Sequence, residues 1–230
     1  MKKDIVSKVL KEGTVVNTKL KNGDIWIQNI VYRTEKHMIS IALLNEYLEN
    51  IIMLGQTITI KYSSEHSEIL FEGEIVKIRP EYPSYITIDI KDIKEVKNTR
   101  VFPRYDVYLG ATVKIPDSPE ERFVIIHNIS FVGMAFYAKD FFEIDNDELD
   151  FSIFLPNKQS IRTRGKINRR SPKSDFADYG LQYTAMTEDS NNILSSFFNL
   201  VEDEKSKLRE EYINCVRKHL WYRLCVLYAK

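Results

Sequence analysis

Two arginines stand four positions apart in the chain, Arg100 and Arg104, with Pro103 directly before the second. A guanidinium group is planar and always charged, and it forks onto phosphate oxygens or onto the O6 and N7 atoms of guanine. Such a pair also arises by chance, and two surface arginines that fix a linker by ion pairs are the plain alternative. The pair is therefore a candidate anion site that needs support from other residues.

A second motif, Asn128-Ile-Ser130-Phe-Val-Gly133, follows the apolar run at 123–126. Asn and Ser side chains bond to nearby backbone groups and Gly accepts positive φ angles, so the motif could serve only to shape a hairpin corner. The same polar groups could instead bind a ligand. The residues of this motif leave both interpretations open.

Charges are divided into blocks between residues 140 and 174. Residues 140–150 carry six acidic side chains and no base, whereas residues 151–174 carry seven bases and no acid. The bases are Lys158, Arg162, Arg164, Lys166, Arg169, Arg170 and Lys173. In a strand, Arg162, Arg164 and Lys166 would share one face. That face is either a solvated outer surface or a supplementary anchor for a phosphate or an acidic partner surface.

The elements that must position these motifs are mainly strands. Alternating apolar residues and short spacings predict a second antiparallel barrel after the arginine pair. Its predicted strands lie at 111–115, 122–127, 133–138, 149–154, 161–169 and 179–185. We assign this barrel to residues 105–186 and the segment 94–104, which contains both arginines, to a linker.

The first 93 residues predict another small β barrel. Asn22-Gly23 is a hairpin signal with a return strand at 24–27, and further strands are predicted at 57–62, 69–78 and 85–90, with a bend or bulge at Gly73. Period-two alternation marks the core candidates. They are Ile58, Ile60, Ile86 and Ile88.

A helical period begins after Thr187, and the cap candidates are Thr187, Glu188, Asp189 and Ser190. Apolar residues then recur at intervals of three and four, with a break predicted near Asp203. The two stripes are Ile193, Phe197, Leu200 and Val201, then Leu208, Tyr212, Val216 and Leu220. Residues 187–230 are thus a C-terminal helical segment, and its apolar end at 220–228 must be covered by the first barrel, a second copy of the chain or a partner.

Composition excludes several classes of protein. The chain of 230 residues is 43% hydrophobic and 29% charged, which is ordinary globular usage. Its 33 Lys and Arg balance 33 Asp and Glu for a formal net charge of +0, so we expect no DNA or RNA partner. The four histidines have no metal-ligand spacing, and neither a membrane span nor a secretory leader is predicted, so we expect a cytoplasmic protein without a metal site.

The arginine pair, the Asn128 motif and Tyr179-Gly-Leu-Gln-Tyr183 occur in an order that resembles the PilZ domain, over about residues 97–200. The resemblance implies a six-stranded barrel that binds cyclic di-GMP. It implies that the arginines fork onto phosphate and guanine, that Asn and Ser of the second motif bond the guanine edge and phosphate, and that the glycine admits close backbone approach. The implied ligand-binding residues are Arg100, Arg104, Asn128, Ser130 and Gly133, with Arg169, Arg170 and Gly180 as supplementary candidates. Many members have Asp where this chain has Asn128, a change expected to weaken a guanine contact.

The first barrel, with Gly13, Gly23 and Gly55 before strands, resembles the split barrel of YcgR-type flagellar brake proteins. That resemblance implies a cyclic di-GMP effector that changes its interdomain angle and slows motility through flagellar motor or stator proteins at the basal body. Two alternatives stay open. One is an adaptor for another process, such as exopolysaccharide production or adhesion, and the other is a scaffold without ligand binding.

Signatures of catalysis are missing from the sequence, which has no G-x-S-x-G elbow, no Walker loop and no dinucleotide fingerprint. We therefore expect a binding protein and not an enzyme. The resemblance to the PilZ domain implies cyclic di-GMP as its ligand and no other cofactor. A homodimer through the C-terminal helix is one further expectation.

Overall fold

The computed structural model describes residues 3–21, 23, 25–64, 67–97, 101–114, 120–139, 141–142 and 148–221. Contacts between these residues divide the chain into two compact units, residues 1–99 with 203–230 and residues 100–202. Each unit contains one closed barrel of six antiparallel strands. The predicted fold class, two small β barrels and a long C-terminal helix, is confirmed.

The first unit contains a six-stranded barrel with two short helices. In chain order its elements are α1 Lys3–Val9, β1 Val15–Leu20, β2 Ile27–Glu35, β3 Met38–Ala42, α2 Asn45–Glu49, β4 Thr57–Ser63, β5 Ser67–Arg79 and β6 Tyr85–Lys97. The strands close in the order β1-β2-β3-β6-β5-β4. The four predicted core isoleucines are all fully buried, and the pairing register shifts at Gly73 as predicted.

Two details of the first unit differ from the sequence predictions. Strand β2 begins at Ile27 and not at residue 24, and the predicted turn residues Asn22 and Asp24 lie outside the described residues. Strand β6 continues to Lys97 by pairing with β5, so the predicted linker 94–104 begins inside a strand. Backbone bonding to a neighbouring strand keeps this polar, lysine-rich segment extended although it has no apolar period.

The second unit contains the other barrel. Its strands are β7 Tyr105–Lys114, β8 Glu121–Ile129, β9 Gly133–Ala138, β10 Leu149–Phe154, β11 Ser160–Pro172 and β12 Ala177–Met186. They close in the order β10-β11-β12-β9-β8-β7. Alternation of exposed and buried residues from Ser160 to Ile167 of β11 puts one face in the core and the other in solvent. The barrel therefore has a continuous outer surface on which polar residues from different strands can meet.

The C-terminal helix α3, Glu188–Glu211, continues into a π-helical turn, Tyr212–Arg217, and stays helical to Trp221. The Thr187 hydroxyl accepts a hydrogen bond from the Ser190 amide at 3.2 Å, which confirms the predicted cap. The predicted break near Asp203 is wrong, because 202–207 stays helical with its polar side chains in solvent. No helix in the described part of the chain combines the length and the apolar character needed to span a membrane.

Both ends of this helix contribute to hydrophobic cores. The first part of the helix buries Leu194, Phe197 and Phe198 in the hydrophobic core of the second barrel. Leu200, predicted to belong to the first apolar stripe, is instead 49% exposed. The second stripe is confirmed: Tyr212 and Val216 are buried against Ile30 and Ala42 of the first barrel, with Leu208 and Leu220 packed beside them. Most of the apolar end, residues 222–228, lies outside the described residues.

Candidate functional site

A row of residues crosses five strands on the outer face of the second barrel. Neighbouring strands pair Asp106 with Asn128, Asn128 with Ala135, Ala135 with Gly180, and Gly180 with Arg169. Residues directly opposite in antiparallel strands have side chains on the same face. We call these five residues the outer row. Tertiary structure thus brings Asn128 of the second motif onto the same surface as the supplementary candidates Gly180 and Arg169.

Short side chains occupy the middle of the outer row. Ala135 and Gly180 stand between Asn128 and Arg169 and raise no long side chain above the sheet. A Cβ atom at Gly180 would lie 3.3 Å from Nε and 3.3 Å from Cβ of Arg169, and 3.1 Å from Oδ1 of Asn168. Glycine at this position therefore lets the Arg169 side chain lie close over the strand. The amide of Asn128 and the guanidinium of Arg169 thus lie on either side of Ala135 and Gly180 in the outer row.

Arg169 is held in place by a carboxylate. Its Nη2 donates to both oxygens of Asp178 at 3.2 Å, and Asp178 Oδ1 also bonds His127 Nε2 at 3.1 Å. The His127 ring stacks on Tyr137 with centroids 4.1 Å apart, which fixes the imidazole against the outer face. The guanidinium-bearing side chain of Arg169 is still 52% exposed. It is thus oriented by the protein and open to an anion.

The pKa of Asp178 is lowered by its contacts with His127 and Arg169. Burial by itself raises this pKa, but the hydrogen bond and charge of His127 and the charge of Arg169 outweigh burial and lower the pKa below its ordinary value. A carboxyl with a lowered pKa in the folded state stabilises the fold above a pH of about 4, and loses that effect as the pH falls through its lowered pKa. Asp178 is therefore an anion at neutral pH.

The Asn128 motif forms a tight turn between β8 and β9. Ser130 is 2% exposed; its hydroxyl donates to the Gly133 carbonyl at 3.0 Å and accepts from the Val132 amide at 3.4 Å. A Cβ atom at Gly133 would lie 2.3 Å from the carbonyl oxygen of Leu181, so β9 can approach β12 only with glycine there. Ser130 and Gly133 thus have the turn-shaping role that the sequence left open, and their contacts with a ligand stay predictions.

Four aromatic rings connect the segment before β7, residues 101–104, to this turn. Phe102, between the two arginines, meets Phe131 of the motif edge-on at 6.3 Å, and Phe131 meets Phe198 of helix α3 at 4.8 Å. Tyr105 at the start of β7 stacks on Phe198 with ring centroids 4.3 Å apart. The ring of Phe198 is therefore a common support for the turn and for the segment that carries Arg104.

The remaining predicted site residues are distributed as follows. Arg104 is exposed directly before β7, whereas Arg100 lies outside the described residues. The Arg170 guanidinium lies 4.2 Å from the centroid of the Phe141 ring. Arg162, Arg164 and Lys166 do share the exposed face of β11, but Arg164 bonds Asp150 of β10 at 2.8 Å. The charge of Arg164 is thus paired with Asp150 on the neighbouring strand.

Three polar residues near the site were not predicted from sequence. Asp106 lies opposite Asn128, and Asp178 bonds both Arg169 and His127. No short-range spacing signals them, because the partners lie 22 and 51 positions apart in the chain. Within the described ranges no group of three His, Cys, Asp or Glu side chains could hold a metal ion.

Comparisons with known proteins identify the second unit. Residues 98–200 match the PilZ domain family. No match was found among curated proteins. Among solved structures, the inhibitor of motility MotI/DgrA of Bacillus subtilis is 18% identical, with 85% of this chain and 99% of that chain covered and a TM-score of 0.42.

Two structures with cyclic di-GMP also match. YcgR from Escherichia coli in complex with c-di-GMP is 11% identical over 90% of this chain and 92% of that chain, with a TM-score of 0.45. The K. pneumonia MrkH–c-di-GMP complex is 16% identical over 89% of this chain and 94% of that chain, with a TM-score of 0.48. The motifs, the six-stranded barrel and the family match agree on the same residues. Residues 98–200 thus match the PilZ domain family, and they contain the six-stranded barrel of the second unit.

Proposed function

We propose that the chain is a receptor for cyclic di-GMP that acts through protein contacts and not as an enzyme. The observation that carries this proposal is the outer row, in which the Asn128 amide and the exposed Arg169 guanidinium share one face of the barrel within the residues that match the PilZ family. Cyclic di-GMP offers two phosphates and two bases, and guanidinium and amide groups can bind the phosphate oxygens and the base edges. The structures of YcgR and MrkH named above contain this ligand.

Each candidate residue has a distinct part in the proposed site. Arg100 and Arg104 supply guanidinium groups for phosphate oxygens and for guanine O6 and N7. Arg169, oriented by Asp178, supplies a third cation at the far end of the outer row. Asn128 offers an amide to the guanine edge. Gly180 adds no side chain to the surface beside Arg169.

Calorimetric titration of the full chain with cyclic di-GMP tests the proposal. We expect saturable binding that is weakened about tenfold or more by Arg104→Ala or Arg100→Ala, because a hydrogen bond to a charged group contributes about 1.5–3 kcal/mol. Arg33→Ala is the matched control, since Arg33 pairs with Glu35 on the first barrel. No binding at tens of micromolar ligand, or unchanged affinity in both arginine variants, would refute the receptor function.

The downstream output is a finer proposal. We propose that ligand binding changes the geometry between the two units and that the protein then regulates motility through flagellar motor or stator proteins. This proposal rests on the resemblance to YcgR-type flagellar brakes and on the position of Arg100 and Arg104 at the start of the second unit. A strain that lacks the chain and swims at the same speed as its parent at high cyclic di-GMP would instead favour an adaptor for exopolysaccharide production or adhesion.

A further inference from the structure

Three large apolar side chains are exposed close together on the outer surface of the second barrel. Phe123 and Ile125 of β8 are 64% and 40% exposed, and Phe154 of β10 is 50% exposed. Strand β7 lies between β8 and β10 and contributes the small residues Gly110 and Thr112 to the same stretch of surface. A Cβ atom at Gly110 would lie 3.4 Å from the Phe123 ring, so this ring leans over β7. We call this surface of β8, β7 and β10 the apolar face.

The apolar face is large for a surface that is left in water. An aromatic side chain has about 150–250 Å² of surface, so Phe123 and Phe154 together expose roughly 200 Å². Contiguous apolar patches of a few hundred Å² on a soluble protein mark interaction sites. The backbone beneath is held by strand pairing on both sides, since β8 pairs with β7 and β9, and β10 pairs with β7 and β11. A partner would therefore meet a surface that needs little ordering on binding.

Charged side chains form an alternating row along one edge of the apolar face. Glu121 pairs with Lys114, Lys114 with Asp150, and Asp150 with Arg164. These four residues lie on the adjacent strands β8, β7, β10 and β11, and all four are exposed. Their signs run negative, positive, negative, positive. The row has no net charge, and it therefore offers no advantage to an anionic lipid surface or to a strongly basic or acidic partner.

An alternating row with an even number of charges is complementary to its own reverse. A two-fold axis parallel to the strands, between β7 and β10, lays two copies of the face against each other with the order of the strands reversed. Glu121 then faces Arg164 of the partner subunit, and Lys114 faces Asp150 of the partner subunit. Symmetry repeats both pairs. Sheets that pack face to face keep their strands within about 30° of each other, so this alignment is an ordinary one.

The same axis also matches the apolar residues of the two copies. Phe154 follows the last printed pair of β10 with β7 and is level with Gly110, so each Phe154 faces the low position at Gly110 of the partner subunit. Phe123 and Arg162 lie in one row of paired residues across the four strands. Phe123 thus faces Arg162 of the partner subunit, and a guanidinium over an aromatic ring is a favourable contact.

We propose that the apolar face is the contact surface of a two-fold symmetric homodimer, formed by the second barrels of two chains. An apolar centre with charged residues at its edge is the usual anatomy of such an interface. The second copy is the occupant that the charge row selects, because the row complements itself and no surface of a single sign. This face is distinct from the C-terminal helix, the surface through which the sequence suggests a dimer.

The first experiment measures molecular mass by light scattering over a range of concentrations. A reductant is present so that the exposed Cys215 cannot form a disulfide between chains. We expect a mass approaching twice 27.0 kDa at about 100 micromolar chain. The double variant Phe123→Ser with Phe154→Ser should raise the dissociation constant of the dimer by at least about tenfold. Its circular dichroism should match that of the wild type, because both side chains are exposed.

Ile213→Ser is the matched control, since Ile213 is 50% exposed on the C-terminal helix. It should leave the mass unchanged. A wild-type chain that stays monomeric at about 100 micromolar overturns the proposal. So does a dimer that is lost in Ile213→Ser and kept in the phenylalanine variant. Binding of a monomeric wild type to phosphatidylcholine–phosphatidylserine vesicles that the phenylalanine variant loses would assign the face to a lipid surface instead.

The second experiment tests the two-fold arrangement by exchanging charges. Lys114→Glu sets like charges against each other at two equivalent contacts and should raise the dissociation constant by at least about fivefold. Adding Asp150→Lys makes the row negative, negative, positive, positive, which again complements its own reverse. The double variant should return to within about threefold of the wild type, although it breaks the pairs with Glu121 and Arg164 inside each chain. A double variant that dimerises no better than Lys114→Glu overturns the arrangement.

Discussion

Gly133 lies where strand β9 approaches the backbone of β12 most closely. A Cβ atom there would be 2.3 Å from the Leu181 carbonyl oxygen, a contact that side-chain motion cannot relieve because the atom belongs to the backbone. The glycine of the Asn128 motif is thus required by the barrel before any ligand is considered. Gly133 therefore has a structural role in addition to its proposed role in ligand binding. A loss of binding in a Gly133 variant must be distinguished from a loss of stability.

We predict that Gly133→Ala lowers the free energy of unfolding of the second barrel by about 1–3 kcal/mol, the usual range for overpacking. The matched control is Gly110→Ala on β7, where the added Cβ would lie 3.4 Å from the nearest atom, in the Phe123 ring. Removing a glycine from a strand also removes its excess entropy in the unfolded chain, so Gly110→Ala should be neutral or slightly stabilising. Urea unfolding followed by circular dichroism measures both, and equal effects of the two substitutions would contradict the steric argument.

At the scale of elements, the two apolar stripes of the C-terminal helix are buried in different cores, the first in the second barrel and the second against the first barrel. Tyr212 in the π-helical turn is 3% exposed, stacks on Tyr32 with ring centroids 5.7 Å apart, and donates its hydroxyl to the Tyr32 carbonyl at 3.1 Å. Burial, with the charge of Glu12, raises the pKa of Tyr212 to about 12. The unfolded chain loses this proton near pH 10, so the contribution of Tyr212 is complete below pH 10 and is lost as the pH rises through 12.

We predict that Tyr212→Ala lowers the free energy of unfolding of the first unit by about 3–4 kcal/mol, as expected for removal of a buried aromatic side chain. Ile213→Ala is the control, because the next residue on the same helix is 50% exposed. Its cost should stay within about 0.5 kcal/mol, as for most surface substitutions. The fluorescence of Trp26 reports unfolding of this unit, and a Tyr212→Ala variant as stable as Ile213→Ala would show that the helix end does not contribute to the first barrel's stability.

At the scale of the whole molecule, Arg100 and Arg104 lie within the first five residues of the second unit, which begins at residue 100. A ligand shifts a conformational equilibrium only by as much as its affinities for the two states differ. If Arg100 and Arg104 bind the ligand as proposed, their contacts would let the ligand bind one arrangement of the two units more tightly than another. This is the physical basis of the proposed conformational response.

We predict that saturating cyclic di-GMP changes the small-angle scattering profile of the full chain, with a shift in the radius of gyration beyond experimental error. The control is Arg104→Ala at the same ligand concentration, where the weakened contact should leave the profile close to that of the free protein. Superimposable wild-type profiles with and without bound ligand would retain the receptor and exclude the conformational response.

Sequence patterns by themselves determined most of the elements and the identity of the domain. The strands at 133–138 and 149–154 and the stripe from Leu208 to Leu220 follow from side-chain alternation at period two and from recurrence every four residues. These signals are local, since one face of each element must be apolar to enter a core. The predicted break at Asp203 failed because a polar stretch is compatible with a solvent-facing helix as well as with a loop.

Tertiary structure alone decided which polar side chains share a surface. The outer row depends on the register of four strand pairs, including β12 with β9, which are not consecutive in the chain. Closure of the barrel fixes that register, and a shift of one residue would turn every side chain to the opposite face. Asp106 therefore meets Asn128, and Asp178 meets His127 and Arg169, only because the six strands close as they do.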